Sequence, residues 1–332
     1  MSRARPSVEA LVDGVRGGDR ALLARAITLV ESRHPDHRAD AEALLVALGA
    51  PATPAYRVGV TGVPGVGKST FLDAFGMNVL EEGHRVAVLA VDPTSERTGG
   101  SILGDKTRMA RLAADPRAFI RPSPSQGTLG GVARRTRETI RLVEAAGYDV
   151  VLVETVGVGQ SETLVAQMVD FFLVLMLPGA GDELQGIKRG IMELADLIAV
   201  NKADGQRVTA AKLARRQYAS ALHTLQAREP AWTPQALTCS ALEGVGLVDI
   251  WGHVVAHRDA LVEAKRFDAR RHEQDLGWLT QLVEDGLRDA LAARSDVVAL
   301  RADEEARLAC GETTPAAAAD RLLRRFLGDE ET

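Results

Sequence analysis

The run Gly62-Val-Pro-Gly-Val-Gly-Lys-Ser69 fits the pattern G-x-x-x-x-G-K-[ST] at every fixed position. The chemistry such a run performs is phosphate binding. Backbone N–H groups of the loop and the positive end of the following helix converge on one point, and glycines leave room for oxygens to approach. Gly62, Val63, Pro64, Gly65, Val66 and Gly67 form the cradle, Lys68 reaches the β- and γ-phosphates, and the Ser69 hydroxyl is placed to ligate Mg2+, with Thr70 beside it. A nucleoside triphosphate is the expected ligand.

A second group names the base. In Asn201-Lys-Ala-Asp204, the Asp204 carboxylate is able to accept from the N1–H and N2–H2 edge of guanine, whereas adenine offers no such donor pair and leaves the acid unpaired. Asn201 is expected to brace the loop and the Lys202 stem to cover one face of the ring. Ser240-Ala241-Leu242 is suited to offering a backbone N–H to guanine O6. Three acids complete the set. Asp92 and Glu154 each end an apolar run, and Asp105 lies in the glycine-rich stretch 98–108. With Ser69 they are the expected Mg2+ environment, and Lys68, Asp92 and Glu154 the expected catalytic residues. Glu154 opens E-x-x-G where many GTPases have D-x-x-G. Mg2+ retains several waters in its octahedron, so one hydroxyl and a few outer carboxylates suffice.

Elements must hold these groups together. Strand-like runs occur at 57–61, 85–91, 118–122, 149–154, 171–177, 197–201 and 235–239, mostly separated by helical stretches. That alternation implies crossovers and a largely parallel α/β sheet covered on both faces, with ligands at its carboxyl edge. Residues 1–55 read as a helical extension broken at Gly17-Gly18-Asp19, residues 56–257 as the nucleotide domain, and 258–332 as a helical arm with a narrow apolar stripe suited to dimerisation. The 332 residues carry a net charge of −5, which excludes the broad basic field that nucleic acid requires. The 46% hydrophobic content is ordinary for a globular chain, and the longest apolar run, 171–177, is too short to span a bilayer. Two cysteines form no disulfide framework, and the charged N-terminus lacks a signal-peptide core; a cytoplasmic protein is expected.

Several longer pieces carry a resemblance. Val91-Asp-Pro-Thr-Ser95, Gly99-Gly-Ser-Ile-Leu-Gly-Asp-Lys-Thr-Arg-Met109, Ile120-Arg-Pro-Ser-Pro124, Gly127-Thr-Leu-Gly-Gly131, Glu154-Thr-Val-Gly-Val-Gly-Gln-Ser-Glu162 and Pro178-Gly-Ala-Gly-Asp-Glu-Leu-Gln-Gly-Ile-Lys-Arg-Gly190 are similar to the MeaB/MMAA family. These are P-loop GTPases of the SIMIBI class, and E-x-x-G is normal among them. The resemblance implies a Mg2+-dependent, homodimeric G-protein chaperone that uses GTP to gate adenosylcobalamin transfer from an adenosyltransferase to methylmalonyl-CoA mutase, and that protects or reactivates the mutase. Related proteins serve other acyl-CoA mutases. No built-in arginine finger is evident, so slow hydrolysis stimulated by the partner is expected. Arg108, Gln160, Asp182, Gln185 and Lys188 are the residues expected to couple nucleotide state to that partner.

Two other readings compete. A nickel-enzyme metallochaperone GTPase needs Cys and His ligands, for which only Cys239, Cys310 and the pairs His34/His37 and His253/His257 are on offer. A small-molecule kinase is disfavoured by Asp204, since most such kinases use ATP.

Overall fold

The computed structural model describes residues 6–32, 34–51, 53–91, 108–122, 129–155, 161–179, 189–225 and 228–328. Seven strands make one sheet: β1 Tyr56–Gly62, β2 Val86–Val91, β3 Ala118–Arg121, β4 Val150–Thr155, β5 Phe171–Met176, β6 Leu197–Val200 and β7 Gln235–Thr238. Their order is β3-β2-β4-β1-β5-β6-β7, and every pairing is parallel. Each run read as a strand from the sequence is one, with no end displaced by more than one residue.

Continuous apolar runs form strands here because the sheet is buried on both faces, so that successive residues serve different cores. Ala87, Leu89 and Val91 enter one core while Val86 and Val88 enter the other; Phe172 and Val174 oppose Phe171 and Leu173 in the same way. The first core is closed by the N-terminal helices α1 Val8–Arg16, α2 Arg20–Val30 and α3 Pro35–Leu48. Asp19 caps α2, accepting from the Ala21 and Leu22 amides at 2.8 and 3.0 Å, and Gly18 at φ +72° makes the turn before it. Helix α4, Lys68–Glu81, covers the second face with Phe71 and Phe75, whose rings stack at 5.2 Å. Each such side chain, with no exposed surface, contributes roughly 1.5–3 kcal/mol. Among the described residues, the remaining helices of the sheet region are α5 Ala110–Ala114, α6 Leu129–Ala145, α7 Ser161–Ala166, α8 Arg189–Leu194, α9 Val208–Thr224 and α10 Leu247–Glu263.

The amino edge of the sheet is fixed by ion pairs. Asp170 accepts from the Arg57 amide at 2.8 Å and from Arg271 Nε at 2.9 Å. Burial pushes its carboxyl up, but Arg271 and Arg57 overcome that and hold it below the usual carboxylate value. His257 is fully buried against Tyr56, its Nδ1 2.6 Å from the phenol oxygen, and burial lowers its pKa to about 4.

The chain divides into two compact units, residues 1–271 and 272–332. In the second lie most of α11 Phe267–Ala293, then α12 Ser295–Ala309 and α13 Pro315–Leu327. Buried Glu304 joins the last two, accepting from Arg321 Nε at 2.8 Å and Arg307 Nη1 at 3.0 Å. Leu276, Leu279, Val283 and Leu287 remain 51–58% exposed along α11. No helix among the described residues is long and apolar enough to cross a membrane.

Candidate nucleotide site

The phosphate loop links β1 to α4 at the carboxyl edge of the sheet. Gly62 ends the strand where an added Cβ would lie 2.6 Å from the Leu175 carbonyl oxygen, so only glycine fits. Gly67 caps α4 in the left-handed region at φ +92°, and no side chain occupies the cap. The first ladder bond runs from the Phe71 amide to Gly67 O at 2.9 Å. The amides of Lys68, Ser69 and Thr70 therefore precede the ladder and suit an anion. Lys68 Nζ rests on Gly62 O at 2.9 Å. Burial lowers its pKa, while Glu154 and Glu162 act in the opposite sense and favour the charged form.

The base loop after β6 grips the phosphate loop directly. Asn201 is buried; its Nδ2 donates to Val66 O at 2.9 Å, and its Oδ1 accepts from the Ala241 amide at 3.1 Å. Lys202, at φ +58°, places Nζ 2.6 Å from Gly65 O. An L-residue takes this left-handed conformation only when its surroundings enforce it. Asp204 Oδ2 accepts from Ser240 Oγ at 2.8 Å, and Oδ1 accepts from Arg207 Nη2 at 2.7 Å. Ser240 and then Arg207 hold the Asp204 carboxyl below its ordinary value. Ser240 also accepts from the Glu243 amide at 3.2 Å, which closes the turn carrying exposed Leu242. Lys68, Asn201, Lys202, Asp204, Ser240 and Ala241 thus form one bonded group around the loop 62–67.

Glu154 lies on β4 opposite Val60 of β1, and the next residue, Thr155, donates to Thr61 Oγ1 at 2.7 Å. That buried hydroxyl pair ties the end of β4 to the end of the strand feeding the phosphate loop. Asp92, Asp105, Gln160, Asp182, Gln185 and Lys188 lie outside the described residues; Arg108 is exposed just before α5. Three residues near the site were not singled out from the sequence. Glu162, buried in α7, acts on Lys68. Asp73, on α4, accepts from Arg111 Nε at 2.8 Å and from the Leu112 amide at 2.9 Å, capping α5 from another helix. Arg207 holds Asp204. Asp73 carried a visible signal, an acid among apolar neighbours on a helix, without any indication of its partner; Glu162, between Ser161 and Thr163, carried none.

The histidine pairs have other occupations. His34 Nδ1 accepts from the Asp36 amide at 3.3 Å at the start of α3, and His37 Nδ1 lies 2.7 Å from Ser32 Oγ. His253 bonds the Asp249 carbonyl at 2.9 Å, whereas His257 bonds Tyr56. Among the described residues no group of three or more His, Cys, Asp or Glu side chains is arranged to hold a metal ion. Cys239 is buried, and burial pushes its thiol up to about 12.

Residues 23–296 match the family described as methylmalonyl-CoA mutase-associated GTPase MeaB. A probable GTPase of Mycobacterium tuberculosis is 57% identical over 317 residues, spanning 96% of this chain and 94% of that protein. A mouse protein named methylmalonic aciduria type A homolog, mitochondrial, is 44% identical over 331 residues, spanning 96% and 79% respectively. A solved structure described as a LAO/AO transport system kinase is 41% identical with a TM-score of 0.78, covering 98% of this chain and all of its own.

Proposed function

The chain belongs to the methylmalonyl-CoA mutase-associated GTPase family, and from that membership we propose that it is the G-protein chaperone of an adenosylcobalamin-dependent acyl-CoA mutase. It is a P-loop enzyme that hydrolyses GTP. In the proposed role, GTP gates delivery of adenosylcobalamin from an adenosyltransferase, and the protein protects or reactivates the mutase. Methylmalonyl-CoA mutase is the favoured client. The observation that supports a gate is the bonding of the base loop to the phosphate loop through Asn201 and Lys202, which makes occupancy of one felt by the other.

The proposed roles are these. Asp204 accepts from the guanine edge, and the loop amides with Lys68 take the phosphate charge. Phosphoryl transfer passes through a loose transition state with charge on the γ-oxygens, so positioning and electrostatics supply most of the acceleration. The donor set suits Mg2+, which would neutralise phosphate charge: Ser69 stands in the first turn of α4, and Glu154 acts on Lys68 from β4. Asp92, directly after β2, completes the acids. Glu154 would hold the attacking water or, with Mg2+ bound, a water of its outer shell. Glu154→Gln and Asp92→Asn are expected to lower partner-stimulated hydrolysis about 10- to 100-fold while changing GTP affinity no more than about threefold. Normal stimulated turnover in both variants would remove these acids from the mechanism.

The exposed stripe Leu276, Leu279, Val283 and Leu287 recurs at helical spacing on α11 and supports a homodimeric arm. Two unpaired cysteines are consistent with a cytoplasmic home. The segment 178–190, with Asp182, Gln185 and Lys188, follows β5 and is the proposed coupling element with Arg108 and Gln160. The test is cofactor transfer from adenosyltransferase to mutase, followed by the cobalamin spectrum, with GTP and with a non-hydrolysable analogue. Wild-type protein is expected to make transfer depend on nucleotide state. Gln185→Ala and Lys188→Ala are expected to reduce gated transfer about tenfold or more with basal GTP hydrolysis intact. Transfer indifferent to this protein and its nucleotide would refute the chaperone role.

A further inference from the structure

The Asp204 carboxylate is already engaged on both oxygens by donors that stand in different places. Ser240 has no exposed surface, so its bond at 2.8 Å comes from the protein interior. The Arg207 side chain is 54% exposed, so its bond at 2.7 Å is made from the solvent side. A base arriving from solvent meets the arginine and not the serine. With Arg207 in place only 10% of the Asp204 side chain is exposed, although guanine must reach it. Gly205 at φ +50° turns the chain immediately after Asp204 into the short 3-10 turn Gly205–Arg207. That turn carries the arginine back over the acid three residues before it. Among the described residues Arg207 pairs with no second carboxylate.

From this arrangement we infer that Arg207 is an intramolecular competitor of the guanine edge. It neutralises Asp204 while the site is empty, leaves Oδ1 when guanine donates N1–H and N2–H2, and returns as the base departs. Ser240 stays bonded throughout. The inference rests on the proposed reading of Asp204 as the guanine acceptor. Arg207 stands in the sequence three residues beyond the base motif, where the motif itself demands nothing. A bond from an exposed arginine is a weak competitor, so the effect is a few-fold adjustment of nucleotide release rather than a block.

The test compares fluorescent GDP binding and dissociation in wild type, Arg207→Ala, Arg207→Lys and Arg207→Gln, with melting temperatures measured alongside. Arg207→Ala is expected to bind GDP about two- to fivefold more tightly, mainly through slower dissociation. Arg207→Lys should fall between, since it keeps the charge without the planar fork. The ratio between variant and wild type should approach one at about 0.5 M salt, because the ion pair is screened. Arg207→Gln keeps much of the stem and gives the same reading should the alanine variant melt early. Weaker GDP binding in a variant with a wild-type melting temperature would make Arg207 a strut, and unchanged binding would make it a bystander; either overturns the inference. Asp204→Asn with xanthosine diphosphate separates the two claims. No gain for that nucleotide refutes the reading of Asp204 itself, whereas a gain accompanied by weakened Arg207→Ala refutes only the competition.

Discussion

Lys68→Ala is expected to lower GTP hydrolysis about 10²–10³-fold, the largest loss of any single substitution in this protein. Lys68 starts α4, and its ammonium already rests on the loop carbonyl of Gly62 at 2.9 Å. It stands at the one place where strand end, glycine loop and helix start converge, and Glu154 and Glu162 help keep it charged against burial. Charge developing on the β–γ bridge has no other lysine beginning this helix to follow it. Arginine is not an adequate substitute, because its planar fork does not fit where a point charge touches a carbonyl. Single-turnover hydrolysis checks the claim with nucleotide affinity measured in parallel. Hydrolysis within about threefold of wild type would show that the loop amides alone carry the phosphate charge.

Asp204→Asn is expected to weaken GTP binding about 10²–10³-fold and to improve xanthosine triphosphate binding at the same time. A carboxylate accepting two hydrogen bonds becomes an amide that presents a donor, which clashes with the guanine 2-amino group and matches the xanthine C2 oxygen. The substitution also removes the charge that holds Arg207, and Ser240 keeps a carbonyl oxygen to donate to. The reversal of preference is therefore the diagnostic result rather than the loss alone. Equal loss for both nucleotides, measured by competition titration, would mean that Asp204 supports the loop without reading the base.

Much of the sheet was legible in the sequence because each strand is an apolar run bounded by polar turns, and burial on both faces makes such runs continuous. Asp149 and Asp170 both sit just before strands, where they accept the Arg85 and Arg57 amides. The phosphate and base loops were legible for a different reason. Their chemistry is local in sequence, with Gly67, Lys68 and Ser69 consecutive and Asn201 to Asp204 within one turn. What stayed hidden depends on partners distant along the chain. Residues 258–332 read as a helical arm without a marked break, yet the chain turns between α10 and α11 at Lys265, which takes φ +55°. No glycine or proline marks that turn. It is held by the Arg266 amide on Leu261 O at 2.8 Å and by Arg266 Nε on Glu229 at 3.2 Å, and the glutamate is a contact that no spacing rule reveals. Asp73 capping α5 is hidden in the same way, by a separation of 39 positions along the chain.

In the proposed role, GTP turnover by this G protein answers to a cobalamin enzyme. The most direct measurement is multiple-turnover GTP hydrolysis by the purified protein, alone and with adenosylcobalamin-dependent methylmalonyl-CoA mutase, using Lys68→Ala as the blank. The expected result is slow hydrolysis alone and acceleration of about tenfold or more when the mutase is added, abolished in the blank. Identical rates with and without the mutase, at concentrations where the two proteins are seen to bind, would contradict it.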